Sequence, residues 1–162
     1  MNIKKLAGAL AATAITFGIG AATAAPGWAT DNIKPYGQQE RLIDGAGAPM
    51  IGYTVAGLSP SSDPVAHNGQ LYEAEVTVEA FGAWATPLIP LFNARAESGA
   101  GYPAITNAPG GLSGAAVAPG DTSTGKVYFD VVGDVPNSVV YNDGTRDILA
   151  WVPGAPQGGT RP

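Results

Sequence analysis

Along residues 72–80 apolar and polar side chains alternate without a break. Tyr72, Ala74, Val76, Val78 and Ala80 fall on one face, and Glu73, Glu75, Thr77 and Glu79 on the other. A period of two over nine residues predicts a strand with one buried and one wet face, because a helix would scatter those acids around its circumference. Residues 126–132 repeat the pattern, with Val127, Phe129 and Val131 on one side and Tyr128, Asp130 and Val132 on the other. That second face is mixed, which predicts partial cover. Ile51, Tyr53 and Val55 alternate with Met50, Gly52 and Thr54. Residues 138–141 and 147–152 flank Asn142-Asp143-Gly144-Thr145, and Asn, Asp and Gly tolerate positive φ, so a hairpin is expected there. Residues 91–96 read as a shorter strand. Pro87 and Pro90 put its start at a sheet edge, since proline cannot donate to a ladder.

Composition changes the picture only when it is read along the chain. Gly and Pro together make 37 of the 162 residues, just below the roughly 25–30% at which low-complexity disorder becomes the default. Six windows that look extended (50–56, 71–80, 88–96, 126–132, 138–141 and 147–152) contain only Gly52 and Pro90 among their 43 residues. The rest of 25–152 holds 26 Gly and Pro in 85 residues, so breakers punctuate the strands and do not dilute them. Six or more short antiparallel strands in about 130 residues predict an all-β sandwich. Past Trp151, six of the last ten residues are Gly or Pro, and 154–162 is expected to be a disordered tail.

The N-terminus follows a different logic. Lys4 and Lys5 precede an uncharged, Ala-rich stretch that ends at Ala22-Thr23-Ala24, with small residues at the −3 and −1 positions before Ala25. This is the layout of a cleaved secretory signal peptide over 1–24, with Ala22, Ala24 and Ala25 at the cleavage region. Some 17 apolar residues approach spanning length, but Gly8, Gly18, Gly20 and several Thr weaken the run as an anchor, and no stable membrane insertion is expected. Removing 1–24 leaves six basic and thirteen acidic residues, a net charge near −7. Such a surface disfavours nucleic acid and, at neutral pH, anionic lipid. The chain has no Cys and one His, His67, which excludes disulfides, Cys-based metal sites, thiol catalysis and any histidine cluster within one chain.

Several segments in this order resemble a known family. STGKVYFDVVG (123–133), YNDGTRDILAWVP (141–153), LFNARAESG (91–99), GQLYEAEVTVEA (69–80) and MIGYTVAGL (50–58) are similar to the secreted mycobacterial immunogenic-protein family MPT-sixty-three, also MPB-sixty-three. The resemblance covers about residues 38–153 and departs at Tyr53, where the family has Trp, and in the Gly/Pro tail. It implies an immunoglobulin-like antiparallel β-sandwich of about seven to eight strands over 38–153, with 25–37 as an extended N-terminal segment. It also implies an actinobacterial, extracellular, immunogenic protein of no defined biochemical activity, and it brings no catalytic, cofactor or metal residues.

The residues themselves nominate little chemistry. Glu73, Glu75 and Glu79 share a strand face that could hold a cation, although calcium needs oxygens converging from several directions; a solvated face is the plainer expectation. His67 sits in a loop segment with no nucleophile nearby in sequence. Gly111-Leu112-Ser113-Gly114 does not meet the G-x-S-x-G pattern and reads as a flexible loop. Asp143 and Asp147 bracket a turn, and a carboxylate pair of that kind keeps a small hydrolase open as an alternative. Trp84, between Phe81 and Pro87, is either satellite core or an exposed contact anchor. The expectation is a non-enzymatic binding protein without a cofactor, with an unknown protein or cell-envelope partner on a host or cell surface. A small-ligand or envelope-glycan binder is the first alternative. An apolar cavity between the sheets would favour a carrier, a flat aromatic patch a protein contact, and a pocket lined by two facing carboxylates a hydrolase.

Overall fold

The computed structural model describes residues 32–154 as two packed β-sheets. Ten strands follow in order: β1 (Asn32–Pro35), β2 (Gln39–Ile43), β3 (Pro49–Val55), β4 (Ser59–Pro60), β5 (Gln70–Ala80), β6 (Phe92–Ala96), β7 (Gly101–Pro103), β8 (Thr122–Val131), β9 (Pro136–Asn142) and β10 (Asp147–Val152). The first sheet runs β1-β10-β9-β6-β7. In the second, β2 pairs with β3 and β3 with β5, while β8 pairs along the far edge of β5 from Gln70 to Glu79 and β4 takes up Glu73 and Tyr72.

The alternation predicted for β5 is realised in full: Tyr72, Ala74, Val76, Val78 and Ala80 are buried, and the intervening polar side chains are at least partly exposed. The inner faces meet in an aromatic cluster. Tyr53 and Tyr141 each lie edge-on to Phe92, at centroid distances of 5.2 and 5.3 Å, and Phe92 stacks on Trp151 at 6.3 Å. Fully burying such side chains contributes roughly 1.5–3 kcal/mol each, and with no disulfide available this packing holds the sheets together. The β9–β10 hairpin forms where it was expected. Gly144 takes φ +100°, and Asp143 N–H donates to the Arg146 carbonyl at 3.0 Å.

Four expectations change. The described residues form ten strands instead of seven or eight, because β1, β4 and β7 are too short to show alternation and β2 carries a buried Glu40 that breaks it. The sandwich is mostly antiparallel, but β1 runs parallel to β10. Residues within 25–37 therefore supply a strand of the sheet, so the folded unit begins before residue 38. The strand at 92–96 lies between β9 and β7, not at an edge; Pro90 sits in a 3₁₀ turn, Ile89–Leu91, just before the ladder starts and removes no ladder donor. The signal peptide, including Ala22, Ala24 and Ala25, and the tail from 155 onward lie outside the described residues. Among the described residues no helix is long and apolar enough to cross a membrane.

Candidate functional site

The end of the sandwich that carries the β2–β3 turn holds a cleft of about 480 Å³. One wall is the β2–β3 hairpin, from Leu42 through Asp44 to Ile51; the other is the segment 82–88; Tyr53 and Tyr141 lie at the base. Local sequence explains both walls. In Asp44-Gly45-Ala46-Gly47-Ala48 the Asp44 Oδ1 accepts from Ala46 N–H at 2.8 Å and Ala48 N–H at 2.9 Å, and Gly47 takes φ +85°, so the hairpin turns tightly and ends in Pro49-Met50. The opposite segment is tied at Phe81, whose N–H donates to the Met50 carbonyl at 3.1 Å, and at Ala85, which exchanges backbone bonds with Val117 at 3.0 and 2.8 Å.

Between those two ties Trp84 projects, 68% exposed. Met50 at 53% and Leu88 at 49% line the same cleft, and Ile43, next in the chain to the lining residue Leu42, is 63% exposed. Three large apolar side chains, Trp84, Met50 and Leu88, are thus left in water around one concavity, an apolar rim of the kind that marks interaction sites. Tyr53 and Tyr141 pack ring on ring at 5.2 Å, and burial pushes both phenols above their ordinary value, so the base of the cleft is neutral. Trp84 was visible as a candidate in the sequence. Ile43, Met50 and Leu88 were not; their one sequence signal was an apolar residue directly beside a turn.

The other candidates are placed elsewhere. Glu73, on the outer face of β5, accepts from Lys126 Nζ at 3.0 Å and from the Ser61 hydroxyl, while Asp63 accepts from Lys126 Nζ and Tyr128 Oη, both at 2.7 Å. Hydrogen bonds from Lys126 and Tyr128 hold the Asp63 carboxyl below its ordinary value. The face expected to be solvated is thus partly covered, and Tyr128 is buried with Val65 and Leu71 beneath the 61–69 loop. Glu79 accepts from Gln39 Nε2 at 2.6 Å. His67 is exposed, its Nδ1 2.7 Å from the Val65 carbonyl. Ser113 is exposed, but its neighbour Leu112 enters the core and donates its N–H to the Lys126 carbonyl at 2.7 Å, so the 111–114 segment is docked.

Asp143 and Asp147 are both committed to structural bonds. Asp143 Oδ1 accepts from Thr145 and Arg146 within the hairpin. Asp147 is buried and accepts from Arg95 Nη2 at 2.9 Å and Asn142 Nδ2 at 2.6 Å, linking β6, β9 and β10. Among the described residues no group of three or more His, Cys, Asp or Glu could hold a metal ion.

A β-sandwich with an apolar cleft at one end and most of its described acids engaged in structural bonds is the class of protein these observations define. Residues 31–151 match the family described as "Domain of unknown function (DUF1942)". The chain is 39% identical over 124 residues to Immunogenic protein MPT63 of Mycobacterium tuberculosis and to Immunogenic protein MPB63 of Mycobacterium bovis, covering 72% of this chain and 77% of theirs. It superposes on the crystal structure of MPT63, a secreted protein from M. tuberculosis, with a TM-score of 0.72 at 35% identity, covering 77% of this chain and 99% of that one. The chain belongs to this MPT63/MPB63 immunogenic-protein family.

Proposed function

We propose that the protein is a secreted, immunoglobulin-like, non-enzymatic binding protein that takes up an apolar ligand in the cleft beneath Trp84. The observation that carries this reading is the cleft itself: about 480 Å³, within the ~300–1,000 Å³ usual for ligand sites, with apolar walls and few polar groups. Its concavity favours ligand uptake over the flat patch expected of a protein contact, and no pair of facing carboxylates lines it, which removes the motive for the hydrolase alternative. Export is supported by the signal-peptide layout of 1–24 and by the secreted relative. Cleavage before Ala25 is tested by the mass of the protein recovered from culture medium, an N-terminus at Met1 being the contrary result. Ligand uptake is tested with the uncharged apolar dye Nile red. The wild type should enhance its fluorescence saturably, and Trp84→Ala should weaken binding about tenfold, equivalent to ~1.4 kcal/mol. Absence of binding by the wild type ends this reading.

A second reading is favoured by the degree of exposure of Trp84, Ile43 and Met50. In it the apolar rim contacts a protein on a host or cell surface, Trp84 acting as the anchor. Equal retention of the wild type and Trp84→Ala on intact host cells and bacterial envelopes would discard it.

A further inference from the structure

The cleft's lining also carries information about charge. Among the described residues that form it there is no Lys, Arg or His; the only ionisable side chains are Asp44, Tyr53 and Tyr141. The nearest cation in sequence, Arg41, lies over the Phe81 ring at 4.7 Å and donates to Gln39 Oε1 at 2.7 Å, on the outer face of the sheet. An anionic head group entering the cleft would find no counter-charge and would approach a protein of net negative charge.

A cation would fare little better. Asp44 is exposed at the rim, where a pair with a ligand ammonium is worth only about 0–1 kcal/mol. Of the aromatic rings that line the cleft, Tyr53 and Tyr141 pack on each other at 5.2 Å, and Trp84, 68% exposed, presents its face in water, where a cation–π contact is worth only about 0.5–1 kcal/mol. Burying any charge among Ile51, Leu42 and Ala85 without a partner is costly, whereas each apolar CH₂ buried there contributes roughly 0.8 kcal/mol.

Resting on the ligand-binding reading above, we infer that the cleft selects an uncharged small molecule, an apolar body carrying at most a hydroxyl or carbonyl group, and rejects the acid and the amine of the same skeleton. The experiment is displacement of Nile red from the full mature chain by 1-decanol, decanoate and decylammonium, whose chains are the same length. Decanol should displace the dye at a concentration at least tenfold lower than either ion. If decanoate or decylammonium competes as well as decanol, the selectivity is overturned while ligand binding stands. If Nile red itself does not bind, the underlying reading fails first. Met50→Lys, at an exposed position at the start of β3, tests the cause directly. It should raise the affinity for decanoate relative to decanol by at least tenfold, and an unchanged ratio would show that lining charge does not set the preference.

Discussion

Asp143 occupies one corner of the β9–β10 turn and does three jobs with one carboxylate oxygen, accepting from Thr145 N–H and Oγ1 at 2.8 and 2.6 Å and from Arg146 N–H at 3.0 Å. These bonds, with the Thr145 hydroxyl first, pull its carboxyl from the usual 3.8 down to about 2. A carboxyl held low in the folded state stabilises the fold above its unfolded value, and that stabilisation is lost as pH falls from about 4 to 2. Denaturation midpoints in urea should therefore decline across that window, and Asp143→Asn should show a shallower decline. Identical slopes would mean the turn forms without help from the charge. This residue was legible in the sequence as part of a hairpin signal. Its neighbour Asp147 was legible only as a turn-flanking acid; that it is buried against Arg95, 52 residues earlier, is a tertiary fact.

At the scale of elements, β8 shows how a strand edge is managed. One side pairs with β5 over ten residues; the other is approached by Ala104 and Gly111, which form single bridges to Phe129 and Lys126. The 104–112 segment thus covers an edge that would otherwise offer unpaired donors and acceptors to another chain. Gly125 permits the approach: a Cβ there would lie 2.6 Å from Leu112 Cα and 2.9 Å from its nitrogen, both backbone atoms. Gly125→Ala should lift the segment off β8 at a cost of about 1–3 kcal/mol, the usual range for overpacking. Amide exchange at Leu112, whose N–H bonds to the Lys126 carbonyl, should accelerate in the variant. Unchanged protection at that amide would place the adjustment elsewhere. The sequence offered Gly111-Leu112-Ser113-Gly114 as a flexible loop; nothing in those four letters says that Leu112 fills a core position.

Across the whole molecule, the open side of the sandwich is closed by one continuous run of chain. β1 belongs to one sheet and β2 to the other, and the turn between them is held by Tyr36 N–H to the Val152 carbonyl at 3.0 Å and Gly37 N–H to the Val55 carbonyl at 2.7 Å. Trp151 Nε1 donates to the Gln38 carbonyl at 2.9 Å. Glu40, buried opposite Tyr53, reaches Lys34 Nζ at 3.4 Å, while its Oε1 has no hydrogen-bond partner among the described residues. Burial raises the Glu40 carboxyl above its ordinary 4.5, and Lys34 opposes the rise. A raised carboxyl favours the folded state most when protonated, so its contribution is present below pH 4.5 and is lost as pH rises through the folded value. Lys34→Met should raise that value further. It should destabilise the protein at pH 7 by about 1–2 kcal/mol, less than a fully buried pair because Lys34 is partly exposed. The deficit should shrink as pH falls toward 4. A pH-independent deficit, measured by urea titration, would assign the loss to the lysine's packing.

What the sequence determined by itself was local and periodic. The alternation in β5 and β8, the turn residues of the β9–β10 hairpin and the concentration of Gly and Pro between strands encode a cysteine-free sandwich, because side-chain period and turn chemistry act over a few residues. What the tertiary structure decided was every feature assembled from distant segments. β1 becomes a strand only because β10 offers an unpaired edge, and Glu40 is tolerated inside only because Lys34 stands beside it. The cleft exists only because residues 42–51, 82–88 and Tyr141 converge at one end. Trp84 could be singled out early, yet whether it would be core or rim depended on the bridge from Ala85 to Val117, 32 residues away. Burial is a property of the whole packing, and no window of the chain contains it.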